Sequence, residues 1–258
     1  FTHIPKTAGS SISAYLAQFL GDEDIMNDAW NEALSLGIPY NKRILKSVNT
    51  EYGLEKISEA LSKREQDGKM LERPIIDYAF RKIISEKLGT ESVHASAERV
   101  RNFDPKAWET YFKFSFVRNP FSHAISLWRW DENKFSKKFN LTTYSSEKKN
   151  VEDFKIYLKK IKNDYSKFDI NKPYQHLRDI YCIDGKIAMD FIGKMENLEA
   201  DFKFIAKKLN LPNPYIDFPH TKKSEKVDLS SFYDQECIEL VKSIWSEEFK
   251  NFGYSTKF

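Results

Sequence analysis

Cysteine is scarce in this sequence, and long hydrophobic runs are missing. The 258 residues include two cysteines, Cys182 and Cys237, and neither belongs to a CxxC pair. This excludes a disulfide framework and disfavours a zinc site, so we expect no metal. No apolar run approaches the about 20 residues that a membrane-crossing helix needs, so we predict no membrane span in this chain.

An excess of charge of one sign is also lacking. The 41 Lys and Arg nearly balance the 38 Asp and Glu, which leaves a net charge of +3. That is too little to predict binding to nucleic acid or to an anionic membrane, so an anionic ligand must be held by local positive groups. Aromatic residues are plentiful, with 20 Phe and 13 Tyr. The length and the apolar content suit one globular domain over residues 1–258.

Strand and helix patterns alternate along the chain. Residues 1–4 have the composition of a buried strand end, and 12–19 carry apolar residues at helical spacing. Further strands are predicted at 92–95, 111–117 and 188–192, and further helices at 54–66, 75–88, 120–130, 151–163, 197–209 and 234–249. The first of these further helices has Leu54, Ile57 and Leu61 on one face. The alternation predicts an α/β fold whose sheet is mainly parallel and flanked by helices.

The turn between the first strand and the first helix combines positive charge with hydrogen-bond donors. Its sequence is PKTAGSS, at positions 5–11. Helix N-termini present unpaired N–H groups and a positive dipole end, which together accept an anion. Gly9 would let the backbone approach a ligand, Ser10 and Ser11 add hydroxyls, and Lys6 adds a full charge. The alternative interpretation is a plain capped helix start with a solvated lysine.

The nucleoside-triphosphate loop GxxxxGK[ST] is absent. In that loop the lysine follows the last glycine and stands next to a metal-binding Ser or Thr, whereas here Lys6 precedes Gly9. This order predicts a lysine that stands beside the leaving oxygen, with no magnesium required. It disfavours a nucleotide-dependent kinase, which stays as an alternative.

A second strand–turn–helix unit carries an arginine at the end of its strand. Arg118 follows the predicted strand 111–117, where open α/β sheets place their ligands. Asn119 and Pro120 are a good N-cap and first-turn pair for the next helix. Ser126 lies about 9 Å along that helix, so a group touching Arg118 and Ser126 must lie beside its first two turns. A phosphate on a nucleotide ribose would do so. The alternative is a surface arginine and a serine bonded to its own helix.

Together these motifs resemble the sulfotransferases, especially the branch with carbohydrate and heparan-type O-sulfotransferases and their bacterial relatives. HIPKTAGSS at 3–11 is similar to that family's 5′-phosphosulfate loop, and VRNP at 117–120, continued to Ser126, is similar to its 3′-phosphate element. DFIGKMENL at 190–198 and FGY at 252–254 are similar to its later landmarks. The motifs occur in the family's order over most of the chain.

The resemblance implies a nucleotide-kinase-like (P-loop-like) α/β fold and 3′-phosphoadenosine 5′-phosphosulfate as the sulfuryl donor. It also implies an acceptor hydroxyl, preferably on a sugar or glycan. The donor-binding residues that it implies are Lys6, Thr7, Ala8, Gly9, Ser10 and Ser11 on the 5′ side, with Arg118 and Ser126 on the 3′-phosphate. Residues 29–88 and 133–187 lack comparable landmarks, and we predict helical segments there on the acceptor side. A non-catalytic module of this type that binds a glycan or a protein is the second alternative.

Transfer to a hydroxyl requires a base that works near neutral pH, for which histidine is the usual residue. We predict His94 as this base, as the heparan-type relatives imply, and Lys6 as the partner of the leaving phosphate oxygen. His123, on the helix that carries Ser126, is the reserve candidate. His3 is predicted to be a core residue. His220 lies on a late basic loop that could close over the nucleotide.

The compartment and the acceptor stay open at this stage. The sequence begins at Phe1 rather than at methionine, so we expect residues upstream, where a signal or an anchor could lie. For a bacterial chain the expected compartment is the cytoplasm. We interpret the Lys-rich stretch 134–149 as an exposed connection and Glu196 as a carboxylate at a helix start.

Overall fold

The computed structural model describes residues 1–67, 74–138, 151–167, 175–213, 217–218 and 228–258, and these are mainly helical. The helices are α1 (Gly9–Ala17), α2 (Trp30–Ser35), α3 (Lys42–Val48), α4 (Glu51–Asp67), α5 (Ile75–Leu88), α6 (Ala97–Phe103), α7 (Pro105–Thr110), α8 (Pro120–Lys138), α9 (Val151–Tyr165), α10 (Leu198–Lys208), α11 (Gln235–Ile244) and α12 (Ser246–Phe252). The strands are β1 (Phe114–Val117), β2 (Cys182–Ile183), β3 (Lys186–Ile187) and β4 (Phe191–Lys194). Short 3-10 turns cover Leu177–Ile180, Met195–Asn197 and Leu229–Phe232. None of the helices in these ranges is both long enough and apolar enough to cross a bilayer.

A small parallel sheet lies at the centre of the fold. Strands β1 and β4 pair in parallel, from Phe114 opposite Phe191 to Val117 opposite Lys194, while β2 and β3 form an antiparallel hairpin. The N-terminal segment lies beside β1, because Thr2 N donates to the Phe114 carbonyl over 3.0 Å. The fold therefore mixes helices with a parallel sheet, but the sheet in the described residues is smaller than the one we predicted.

The predicted strand at 92–95 is wrong. These residues form a turn, and His94 has a left-handed backbone with φ 65. The backbone groups that a strand would pair are bonded to side chains instead. Asn27 Nδ2 donates to the Ser92 carbonyl over 3.2 Å, and Ser92 N donates to Ser85 Oγ over 3.0 Å. The side chains of distant residues thus prevent this short apolar run from forming a strand, and no local sequence pattern could indicate this.

The strand end predicted at 1–4 is also not a strand in the structure, although Thr2 N bonds to the Phe114 carbonyl of β1. The remaining predicted elements are present, most of them with shifted ends. The strand predicted at 188–192 occurs as β4 and begins later than predicted, at Phe191. Asp190 lies just before it, and its side chain accepts a hydrogen bond from Lys113 N over 2.7 Å. Asn119 caps α8 as predicted, since its Oδ1 accepts from Phe121 N over 3.0 Å. The helix predicted at 234–249 is divided at Trp245 into α11 and α12.

Three buried apolar clusters hold the helices in place. The first packs α1 and α10 against β1, around Ile12, Phe116 and Phe202. The second joins α8 to α9 and to the C-terminal helices, and the third lies among α2, α3 and α5. Helix α4 contributes less than its pattern indicates, because Leu54 is 55% exposed and Leu61 is 43% exposed. Buried apolar side chains therefore fix the positions of the sheet ends and of the start of α1.

Candidate active site

The start of α1 leaves its backbone donors without a side-chain cap. Ala8 occupies the N-cap position with φ 63, and no side chain caps the helix. Lys6 also has a left-handed backbone, with φ 65. Ile12 N donates to the Ala8 carbonyl over 3.1 Å. Successive N–H groups in such an alternating turn form a concave, positive surface that suits an anion.

The hydroxyl groups of this loop do not all face outward. Thr7 is fully buried, and its Oγ1 donates to the Ile4 carbonyl over 2.8 Å. Its hydroxyl therefore holds the turn together. Ser11 is buried at 9% exposure, whereas Ser10 is half-buried at the loop surface.

The side chain of His3 requires a glycine at position 9. A Cβ added at Gly9 would lie 1.8 Å from His3 Nε2, so the imidazole fills the space beside the loop. The prediction that His3 is a core residue is wrong, because its side chain is 15% exposed and borders the candidate site. Its ring meets the ring of His94 edge-on, with 4.5 Å between the centroids.

The imidazole of His94 is oriented by a backbone contact, although the strand predicted around it is absent. Its Nδ1 lies 2.6 Å from the carbonyl oxygen of His3. A carbonyl oxygen only accepts, so Nδ1 carries the proton and Nε2 keeps its lone pair. Positive φ values at non-glycine residues often mark functional sites, and Lys6, Ala8 and His94 all have them.

The turn after β1 is joined directly to the loop before α1. Arg118 Nη1 donates to the Lys6 carbonyl over 3.4 Å, and its Nε donates to Ser122 Oγ over 2.9 Å. The residue after Ser122 on α8, His123, donates from Nε2 to the Pro5 carbonyl over 2.8 Å. The two turns singled out in the sequence thus lie side by side.

His123 is buried and links these two turns through its hydrogen bond to the Pro5 carbonyl. Burial lowers its pKa to about 4; the bond to the Pro5 carbonyl opposes this, and the charges of Arg118 and Lys6 lower it further. A neutral, buried imidazole whose Nε2 already donates does not suit a base, so the structure disfavours the reserve candidate. Ser126 on the same helix is half-buried, and no described residue bonds to its hydroxyl.

Glu196 connects three of the sequence landmarks. Its Oε1 accepts from Asn119 N over 2.7 Å, and its Oε2 accepts from the Tyr254 hydroxyl over 3.0 Å. Burial lowers the pKa of Arg118, and the charges of Glu196 and Tyr254 act in the opposite direction. We had interpreted Glu196 as a carboxylate at a helix start only. The signal for its larger role was that all its partners lie in motifs already quoted.

Asp28 and Arg81 border the site and were not predicted. Asp28 Oδ2 lies 3.5 Å from His3 Nδ1, and its Oδ1 lies 3.5 Å from Arg81 Nη1. The surrounding sequence NDAW at 27–30 is that of an ordinary loop, and no pattern in it indicates a site residue. Their proximity to His3 comes from tertiary packing alone.

Other features lie apart from this site. A cavity of about 240 Å³ is lined by Lys162, Tyr165, His176, Arg178, Trp245, Glu248 and their neighbours, and contains none of the predicted site residues. The charges and donors of the two turns, rather than the size of that cavity, identify the candidate site. Among the described residues no cluster of three or more His, Cys, Asp or Glu could hold a metal ion. His220 with the loop 219–224, and residues 139–149 of the Lys-rich stretch, lie outside the described residues. Residues 134–138 of that stretch belong to α8, so the connection predicted there is wrong for these five positions.

Comparison with known proteins identifies the family. A model of the sulfotransferase family matches residues 1–255. The chain belongs to the sulfotransferase family. This membership confirms the resemblance that the two turn motifs carry, and it implies the P-loop-like fold, with which the small parallel sheet is compatible.

Individual relatives are distant. The chain is 27% identical over 162 residues to carbohydrate sulfotransferase 11 of Rattus norvegicus, covering 54% of this chain and 42% of the relative. Carbohydrate sulfotransferase 11 of Mus musculus gives the same values. An uncharacterized protein of Archaeoglobus fulgidus is 30% identical over 107 residues, covering 42% of this chain and 74% of that protein. The chain thus spans less than half of the two sulfotransferases, and no solved structure matches it.

Proposed function

We propose that this sulfotransferase moves a sulfuryl group from 3′-phosphoadenosine 5′-phosphosulfate to a hydroxyl of a carbohydrate. The observation that carries the proposal is the contact between the two turns, where Arg118 Nη1 lies 3.4 Å from the Lys6 carbonyl. A ligand with anionic groups at both ends can meet both cations only if these turns are neighbours.

The donor set fits such a nucleotide. The uncapped first turn of α1 and the Lys6 ammonium suit a 5′-phosphosulfate. Arg118 offers a planar, half-buried guanidinium that Ser122 already orients, and Ser126 adds a hydroxyl further along α8. We therefore assign residues 6–11 to the 5′ side, and Arg118 and Ser126 to the 3′-phosphate.

The catalytic roles follow from these positions. When bound, the donor supplies a sulfuryl group on a phosphate leaving group. Lys6 and the loop N–H groups stabilise the charge that builds on the leaving oxygen, which is the main demand of a loose transition state. His94 Nε2 accepts the proton that the acceptor hydroxyl loses, because its Nδ1–H is held by the His3 carbonyl.

Ligand binding without turnover tests the donor site. A ligand at one hundred times its dissociation constant stabilises the folded protein by about 2.7 kcal/mol. We expect 3′-phosphoadenosine 5′-phosphate to raise the melting temperature without metal, and ATP with magnesium to raise it less. The reverse order would instead support the kinase alternative and contradict the proposal.

An acceptor screen tests the reaction itself. The named relatives are carbohydrate sulfotransferases, so oligosaccharides and polysaccharides are the first acceptors to try, with a sulfur-labelled donor. Tyrosine peptides and small phenols form the comparison set. Label transfer to a sugar supports the proposal, and transfer to a phenol or peptide alone contradicts its carbohydrate part. Nucleotide binding without turnover on any acceptor supports the non-catalytic alternative.

A further inference from the structure

Two adjacent residues of the loop before α2 contact His3 and the turn that carries His94. Asn27 Nδ2 donates to the carbonyl of Ser92, in the turn that carries His94, over 3.2 Å. Asp28 Oδ2 lies 3.5 Å from His3 Nδ1. One short loop is therefore in contact with the backbone beside one imidazole and with the ring of the other.

Arg81 of α5 orients the Asp28 carboxylate. Their closest atoms, Arg81 Nη1 and Asp28 Oδ1, are 3.5 Å apart, and the side chains are only 13% and 21% exposed. The other oxygen of this carboxylate, Oδ2, is the one that lies near the imidazole of His3. The His3 Nδ1 atom is buried and has no aligned hydrogen bond at this distance. Catalytic hydrogen bonds are often long without substrate and shorten in the complex.

The position of His3 in turn determines that of His94. The His3 carbonyl accepts from His94 Nδ1 over 2.6 Å and so selects the tautomer. The two rings pack edge-on, at 4.5 Å between centroids and 63° between planes. The His3 ring also fills the space where Gly9 lacks a Cβ, which restricts its movement on the opposite side.

We propose that Asp28 is a positioning residue for the base: it accepts a hydrogen bond from His3 Nδ1 and, through His3, keeps His94 with its Nε2 ready to take a proton. The inference rests on the proposed function, because it takes His94 as the base for the acceptor hydroxyl. Arg81 neutralises part of the Asp28 charge.

Kinetics give the first test. We expect Asp28→Asn to lower kcat by about 10²-fold, because a small misplacement of a catalytic group costs that much, while the donor KM stays unchanged. Asp28→Glu should restore part of kcat, since it keeps a carboxylate. Asp22→Asn is the matched control on the same connection, because Asp22 is 60% exposed and bonds to Lys42. An Asp28→Asn enzyme with full kcat would overturn the inference.

Double substitution then shows whether Asp28 acts through His3. If it does, Asp28→Asn should cost little more in a His3→Asn background than His3→Asn costs alone. Fully additive losses would mean that Asp28 acts on something else, and would overturn the proposed route. Thermal unfolding of each variant separates loss of fold from loss of positioning.

A spectroscopic test is independent of turnover. The ring ¹⁵N shifts of His94 in the free protein should show a protonated Nδ1 in the wild type, and a mixture of tautomers in Asp28→Asn. If the wild type transfers no sulfuryl group but this change occurs, the proposed function fails while the positioning role of Asp28 stands. If transfer occurs and the tautomer does not depend on Asp28, the positioning role fails alone.

Discussion

The loop before α1 and the turn after β1 differ in what holds them. The loop relies on backbone conformation: Lys6 and Ala8 both have positive φ, and no side chain caps the helix that follows. The turn after β1 relies on side chains: Asn119 caps α8, and Glu196 accepts from the Asn119 backbone. The loop before α1 is therefore held by its backbone conformation, and the turn after β1 is held by side-chain hydrogen bonds.

This difference separates ligand binding from stability. An uncapped loop keeps its N–H groups for an anion, so changes there should reduce function more than they reduce stability. A turn held by side chains has already used several polar groups internally, so changes there should affect stability as well. The predictions below test this division, from the largest expected effect to the smallest.

Lys6→Ala should give the largest loss of activity with little loss of stability. Removing one preorganised group that stabilises transition-state charge costs about 10²- to 10³-fold in kcat. The melting temperature should change little, because the loop conformation is set by the backbone and by the Thr7 hydroxyl. Lys250→Ala is the control, since Lys250 is exposed on α12. Equal kinetics for the two variants would remove Lys6 from the leaving-group role.

His123 should make stability depend on pH. Its folded-state pKa is lowered by burial to about 4, from an ordinary value of 6.5. Below pH 6.5 the unfolded chain takes up a proton that the folded chain refuses, so stability falls as the pH drops towards 4. This group should contribute about 3 kcal/mol of that loss. Denaturant unfolding at several pH values measures it.

His123→Gln is the matched variant for this measurement. A glutamine can still donate to the Pro5 carbonyl, but it does not titrate. Subtracting its pH profile from that of the wild type isolates the histidine from every other group. Parallel profiles between pH 6.5 and 4 would show that His123 does not refuse its proton in the folded state.

Arg118→Lys should weaken both nucleotide binding and the fold. An ammonium cannot bond to Ser122 Oγ and the Lys6 carbonyl together as the planar guanidinium does. Loss of one charged hydrogen bond costs about 1.5–3 kcal/mol, or about ten- to a hundredfold in affinity for 3′-phosphoadenosine 5′-phosphate. Titration calorimetry and thermal unfolding measure the two effects. Full affinity in this variant would move the 3′-phosphate away from Arg118.

The sequence predicts those parts of the site that are local motifs. Lys6 to Ser11 and Arg118 to Ser126 stand out because charge, glycine and hydroxyl groups fall at a strand end and a helix start, and the structure brings both turns together. The capping role of Asn119 is also a local property. Each of these depends on residues within a turn or two of the chain, which is why pattern and spacing suffice.

The parts that the sequence does not predict depend on distant contacts. The turn at His94 is held by hydrogen bonds with the side chains of Asn27 and Ser85. His3 lies in the site because Asp28 contacts its ring and because Gly9, which has no side chain, leaves space for it. The left-handed backbone of Lys6 cannot be expected from its residue type. Tertiary packing determines these features, and the propensities of the residues do not indicate them.

Tyr254→Phe should have the smallest effect. It tests whether side-chain support and ligand binding are separate in the turn after β1. It removes the hydroxyl that Glu196 Oε2 accepts over 3.0 Å, while Oε1 can still hold Asn119 N. Because this bond lies near the surface, we expect a loss of stability of about 0.5–1 kcal/mol. Nucleotide affinity should fall less than in Arg118→Lys, and the control Tyr111→Phe, at a side chain 65% exposed, should change neither. A loss of affinity as large as that of Arg118→Lys would mean that the C-terminal FGY motif contacts the ligand directly, and that side-chain support and ligand binding are not separate in this turn.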